Sequence, residues 1–333
     1  MRQRRARVAA IGAVAVLALL CGCASTPAPA ATATSETGDF PFTVDDCGTS
    51  VTFTAPPHKV LAIKSTSIEM MLALGVSGRI AGVAFPDGPY ATAWAPAADP
   101  PVISDRVPSM ETVLDLEPDL VYAGWESNVT SDGAGDRDAL AAVGINTLVS
   151  PAACQEAGYQ PNPLTWGDIW DEITLMGRVF DVDEAARQLV AQQRARLEDV
   201  TADARGLSAL WYSSGRDTPY VGAGIGSPEL VLETIGLRNI AAGIAMTWSP
   251  LSWESVVDAD PDVIVLVDST WNTAASKIAQ LEGNPATASL TAVRTGRYLT
   301  VPFPAGEAGV RTVEAAETLS AQLAALDLTD EAP

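Results

Sequence analysis

One thirteen-residue pattern occurs twice in this chain, and the repeat limits the possible folds more than any other feature. Ser109-Met110-Glu111-Thr112-Val113-Leu114-Asp115-Leu116-Glu117-Pro118-Asp119-Leu120-Val121 returns 143 positions later, at Ser252 to Ile264, with Ser, Glu, Val, Asp, Pro and Asp in step. Self-similarity at one long interval indicates two like-built halves, not a short-period solenoid. Within each copy Ser is an N-cap, and Glu sits in the first helical turn, where its charge favours the helix dipole. Pro then stops the helix. An apolar run follows each time, Leu120–Ala123 and Val263–Val267. Each half therefore reads as helix, Pro-Asp, buried strand.

The first forty residues specify an address. Arg2, Arg4, Arg5 and Arg7 precede an apolar stretch from Val8 to Leu20, too short to span a bilayer comfortably, which reads as a secretory signal. It ends in Leu20-Cys21-Gly22-Cys23, which resembles the bacterial lipobox. Residues 1–22 are thus expected to be a lipoprotein signal peptide and Cys23 the lipidated N-terminus; a plain secreted protein cleaved nearby is the alternative. Residues 23–40 are nearly all small or polar and read as a flexible tether. The formal charge is −21, and four of the twenty basic residues lie in the signal, so the processed chain is more acidic still. Such a chain binds nucleic acid or anionic lipid poorly. The membrane attachment is expected to be the lipid alone.

Two cysteines remain beyond the signal, Cys47 and Cys154. In an oxidising compartment an isolated pair favours a disulfide, with two independent buried thiols as the alternative. His58 is the single histidine. It leaves too few soft ligands for a structural zinc site, and no Gly-x-Ser-x-Gly elbow accompanies it for Ser-His-Asp chemistry. No metal site and no catalytic constellation is therefore expected. Gly222-Ala223-Gly224-Ile225-Gly226-Ser227 mimics a dinucleotide fingerprint, but Ser227 occupies the third glycine position. No cofactor is expected there; the loop reads as a flexible wall of a cleft.

With 47% apolar residues the chain can build real cores. Val60–Ile63 and Ile80–Ala84 read as strands around a helix carrying Ile68, Met71, Leu72 and Leu74, an alternation that argues for a parallel sheet covered by helices. Ile169, Ile173, Met176 and Phe180, then Ala186, Leu189, Val190, Gln193 and Leu197, continue a helical stripe through 165–205. The expected fold is α/β: two lobes with central, mostly parallel sheets, 41–164 and 206–328, joined by one long spine helix over 165–205, with a bend or break at Gly177 or in the Phe180-Asp181 region as the alternative. A ligand cleft lies between the lobes.

The order of these pieces resembles the substrate-binding proteins of ABC importers for iron-siderophore, haem and cobalamin. The resemblance is carried by Thr43–Gly48, Val51–Phe53, Glu69–Gly75, Val102–Asp105, Leu116–Val121, Trp253–Val265 and Asn284–Ala286. It implies a monomeric receptor that hands a small molecule to a permease dimer driven by its ATPase, with only modest lobe movement. It also implies that Glu111 and Glu254 meet basic residues of the permease. A narrower resemblance, in Gly124–Asn128, Ser131–Asp138, Ser150–Cys154, Leu210–Gly215, Asp217–Gly224 and Asp268–Lys277, is to an actinobacterial branch assigned to import of a deazaflavin coenzyme precursor.

Open α/β lobes bind ligands outside the carboxyl ends of their strands. The first-lobe candidates are Lys64, Ser65, Thr66, Asp87, Tyr90, Asp105, Arg106, Trp125, Glu126 and Asn128. The second lobe offers Tyr212, Ser213, Ser214, Arg216, Tyr220, Trp248, Thr270, Trp271, Phe303 and Arg311. Aromatic faces mixed with a few cations suit a conjugated ligand with acidic groups; a deazaflavin phosphodiester and a ferric siderophore both fit. Trp170 and Trp253 are assigned to structure. The rival classes are an enzyme and a lipid-anchored sensor, and the sensor would need neither the cleft nor the twin glutamates.

Overall fold

The computed structural model describes residues 40–95 and 99–326. The signal peptide, Cys23 and the tether up to residue 39 lie outside the described residues. The described chain opens with an antiparallel hairpin, β1 (Phe42–Asp46) and β2 (Thr49–Phe53), paired from Phe42↔Phe53 to Asp46↔Thr49. Its tip, Cys47-Gly48, takes positive φ at both residues. From there Cys47 is bonded to Cys154, 107 residues away.

The first sheet contains β3 (Val60–Ile63), β4 (Ile80–Ala84), β5 (Val102–Ser104), β6 (Leu120–Ala123) and β7 (Asn146–Val149). Their order is β5-β4-β3-β6-β7, all parallel. Every residue of β3 and β6 is buried, as continuous apolar runs covered on both faces should be. Helices α1 (Ser65–Ala73), α2 (Met110–Leu116) and α3 (Arg137–Ala142) connect the strands.

The second sheet is mixed. Strands β8 (Ser208–Ser214), β10 (Arg238–Asn239), β12 (Val263–Asp268) and β13 (Tyr298–Pro302) run parallel. β9 (Tyr220–Gly222) and β11 (Trp248–Pro250) are antiparallel additions at the β8 edge. Helices α6 (Ser227–Thr234), α7 (Trp253–Ala259), α8 (Ala274–Gly283), α9 (Thr291–Arg294), α10 (Phe303–Gly306) and α11 (Thr312–Ala325) complete this lobe.

The repeated segment is repeated in atomic detail. Ser109 caps α2 by accepting the Thr112 N–H at 3.3 Å, and Ser252 caps α7 from the Ser255 N–H at 3.0 Å. Each helix ends on a left-handed residue just before the proline, Glu117 at φ 48° and Asp260 at φ 37°. A residue preceding proline is steered away from the right-handed helical region, so both helices stop at the same step. The aspartate after each proline ties the new strand to the entrance of its neighbour. Asp119 accepts the N–H groups of His58 and Lys59, and Asp262 accepts the backbone N–H and the hydroxyl O–H of Ser208.

The linking segment differs from expectation. In place of one helix over 165–205 there are two, α4 (Trp166–Val179) and α5 (Asp183–Glu198), turned at Phe180–Val182. Asp181 takes φ 52°, which breaks the helical run. Gly177 then lets Ala186 pack where a Cβ would collide with it. The stripe is continuous in sequence because both helices bury it: Ile169, Ile173, Met176, Phe180, Ala186 and Leu189 share one core with β3 and with Val313 of α11. Close to this core Glu172 of α4 is buried and accepts the Tyr122 hydroxyl at 3.0 Å. Burial pushes its carboxyl up to about 7.

Candidate functional site

The carboxyl ends of both sheets open onto one cavity of about 510 Å³. The first lobe contributes Thr66 after β3, Phe85 after β4, Trp125 to Ser127 after β6, and Ser150 to Gln155 after β7. The second contributes Ser213 and Ser214 from β8, Tyr220 from β9, Trp248 from β11, Ser269 and Trp271 after β12, and Phe303 and Glu307 after β13. This is the placement that open α/β sheets favour.

Aromatic rings dominate the walls. Tyr220 and Trp248 stack at 6.4 Å with 13° between planes, a direct product of the β9/β11 pairing. Trp271 packs on Phe303 at 5.3 Å, and Trp125 lies edge-on to Phe303 at 6.3 Å. Two buried hydroxyls in the lining, Thr66 Oγ1 and Ser227 Oγ, have no hydrogen-bond partner among the described residues. Buried polar atoms are ordinarily satisfied, so this pair is suited to meet a bound solute.

The floor is charged but closed. Lys64, at φ 80°, turns inward to form an ion pair with Asp87, and its ammonium lies 3.5 Å from the Trp125 ring centroid and 4.1 Å from that of Phe85. Burial lowers the Lys64 pKa and raises that of Asp87, against their mutual attraction. Ser65 completes the knot through its N–H to Asp87 and its hydroxyl to the Asp87 N–H. Gly124 passes so close that a Cβ would come within 2.7 Å of Lys64 Cβ. Glu307 accepts the Trp125 indole N–H at 3.0 Å, a bond between lobes, and burial raises its pKa against the pull of Lys64. Arg311, at the start of α11, crosses to Glu69 of α1 at 3.3 Å and also holds Glu314. Burial pushes Glu69 up to about 7 despite that arginine.

Of the residues expected at the site, the cavity brings together Thr66, Trp125, Glu126, Ser213, Ser214, Tyr220, Trp248, Trp271 and Phe303. Lys64, Ser65, Asp87 and Arg311 lie beneath it as buried, mutually paired groups and do not line it. Asn128 is buried because its side chain accepts the Trp125 N–H and fixes that turn. Tyr212 is buried, with its hydroxyl donating to the Gly215 carbonyl. Tyr90 packs against the first core. Asp105, Arg106, Arg216 and Thr270 are exposed and absent from the lining. The glycine run expected to be flexible is instead tightly packed: a Cβ on Gly224 would strike the Ala242 backbone. The residues not anticipated include Phe85, Ser150, Gln155, Met246, Thr247, Ser269 and Glu307. Ser269 is next to Thr270, so alternation along the strand end was the available signal.

Trp170 and Trp253 are structural, as expected; the Trp253 indole donates to the Arg216 carbonyl. The Cys47–Cys154 bridge is present. Glu111 and Glu254 are exposed and make no ion pair among the described residues. No cluster of three or more His, Cys, Asp or Glu able to hold a metal ion occurs among the described residues.

A two-lobed α/β fold with an interlobe cleft at the strand ends defines a class of solute receptors, and the comparisons with known proteins agree. Residues 60–305 match the periplasmic binding protein family model, and the chain belongs to that family. It is 25% identical over 304 residues to an uncharacterised ABC transporter substrate-binding lipoprotein, YvrC, of Bacillus subtilis, covering 86% of this chain and 87% of that one. Among solved structures, a periplasmic binding protein from Veillonella parvula superposes with a TM-score of 0.75 at 24% identity, covering 86% of this chain and 98% of the other. An ABC-type Fe3+-hydroxamate transport system protein from Saccharomonospora viridis gives 0.74 at 28% identity, covering 85% and 99%.

Proposed function

We propose that this protein is the extracytoplasmic receptor of an ABC importer, anchored by lipid on Cys23, and that it captures a ferric hydroxamate chelate. One observation carries the choice of ligand: the lining joins aromatic faces to two carboxylates, Glu126 and Glu307, and contains no basic side chain among the described residues. The nearby cations are already committed, Lys64 to Asp87 and Arg311 to Glu69 and Glu314. A solute with several free negative charges would meet uncompensated carboxylates in a low-dielectric cleft. Three hydroxamates neutralise Fe3+, so their chelate presents no such charge. The relative from Saccharomonospora viridis, described as part of a Fe3+-hydroxamate system, supports this chemistry. The lipoprotein description of the Bacillus subtilis relative supports the anchor.

A conjugated deazaflavin coenzyme precursor is the second reading. The stacking surfaces of Trp125, Trp271 and Trp248 favour it, and its phosphodiester does not. Glu111 and Glu254 occupy equivalent exposed turns of α2 and α7. Two equivalent acidic points suit a permease with two-fold symmetry.

Tryptophan-fluorescence titration tests the ligand assignment. Ferric trihydroxamates with an ammonium tail, no charged tail and a carboxylate tail are compared with the deazaflavin phosphodiester. The expected order places the carboxylate form about ten-fold weaker than the others, with Glu307→Gln narrowing that gap. Tightest binding of the deazaflavin or the carboxylate form would overturn the assignment.

A further inference from the structure

A second buried lysine lies away from the paired charges of the cleft floor. Lys277 stands at the fourth position of α8, behind the segment 268–272 that runs from the end of β12 toward that helix. Its side chain is 1% exposed, and no carboxylate lies within ion-pair distance among the described residues. The ammonium donates instead to two backbone carbonyls at the two ends of the loop, Val267 at 2.5 Å and Asn272 at 2.6 Å. That position is unfavourable for a cation. It is desolvated, and it sits near the positive end of a helix dipole. An apolar side chain of similar length would avoid both costs, so packing alone does not account for an ammonium here.

The closed geometry of the loop does. Between the two pinned carbonyls lie Ser269 and Trp271, both of which line the cavity. The Ser269 hydroxyl donates to the same Asn272 carbonyl at 3.2 Å, and Asp268 accepts the Ala274 N–H at 2.7 Å. These ties within the loop are short and polar, and Trp271 is 55% exposed. Its ring packs against Phe303.

We infer that Lys277 is a positioning residue for the solute site: its ammonium clamps both ends of the 268–272 loop and thereby fixes the Trp271 ring as a wall of the cleft. The link to affinity rests on the ligand reading above; the link to Trp271 does not.

The protein labelled with 5-fluorotryptophan contains eight such residues, and Trp271→Phe identifies the signal of interest. In Lys277→Met the Trp271 fluorine signal is expected to shift and broaden while the other seven stay in place. Affinity for an uncharged ferric trihydroxamate should fall about ten-fold, the scale of one lost aromatic contact. Lys277→Gln, which keeps N–H donors on a shorter arm, should give a smaller change of the same kind and serves if the Met variant does not fold. An unmoved Trp271 signal, or equal displacement of all eight, would overturn the clamp. A moved Trp271 signal in a protein whose wild type binds no trihydroxamate would uphold the clamp and overturn the ligand reading.

Discussion

The two copies of the helix–Pro–Asp–strand unit agree in nearly everything that holds them together and differ in everything around them. α2–β6 and α7–β12 share a serine cap, a left-handed stop before proline, and an aspartate tied to the neighbouring strand's entrance. Their surroundings diverge. The five-stranded sheet of the first lobe is purely parallel, and the lobe is stapled by Cys47–Cys154. The second carries no disulfide among the described residues but adds the antiparallel strands β9 and β11, which bring Tyr220 and Trp248 into the cleft. The repeated unit thus builds the frame, and the unrepeated segments build the site.

Separating the lobes' stabilities breaks that comparison most forcefully. Cys47→Ser/Cys154→Ser opens a loop of 107 residues and should cost about 4 kcal/mol in denaturant unfolding, with exchange protection lost first in the hairpin and around β7. An equal loss across β12 and β13 would show that the lobes do not differ in this way.

A pH effect of somewhat smaller size belongs to the contact between α4 and the first lobe's sheet. Burial raises the Glu172 carboxyl from 4.5 to about 7, so folding favours its protonated form. The stability it contributes is complete below pH 4.5 and is lost as pH climbs through about 7, by about 3 kcal/mol at most. Glu172→Gln should remove that part of the pH dependence. An unchanged difference curve between pH 4 and pH 8 would refute it.

The repeated ties should behave alike. Asp119→Ala and Asp262→Ala each strip two hydrogen bonds from a strand entrance and should cost about 2 kcal/mol. Ser109→Ala and Ser252→Ala should each cost about 1 kcal/mol. Matching pairs sharpen the equivalence, and a two-fold mismatch within a pair would weaken it. The smallest stability change is expected for Glu111→Gln and Glu254→Gln, about 0.5 kcal/mol each, because both are exposed and lose only the helix-dipole interaction. Their effect should instead appear as lost stimulation of the permease's ATPase.

The frame was legible because its signals are local. A cap, a proline and an apolar run lie within thirteen residues, and the copy confirms them. The linker was read as one helix, with Gly177 or Phe180-Asp181 as its weak point, because a stripe buried on two successive helices keeps its period; the break falls at the left-handed Asp181. At the site, the strand-end rule found the right loops but not which side chains turn outward. Lys64 and Arg311 were plausible ligand cations until Asp87 and Glu69, 23 and 242 residues away, engaged them. Glu307 was overlooked because nothing nearby in sequence marks a carboxylate that lies under Trp125 of the other lobe.

Hydrogen–deuterium exchange on the protein beyond its signal, with and without an uncharged ferric trihydroxamate, tests the central claim most directly. The account predicts that the ligand protects both walls together: the turns after β6 and β7 in the first lobe, and the segments around Tyr220, Trp248 and Trp271 in the second. Protection of one lobe alone, or of neither, would contradict capture between the lobes.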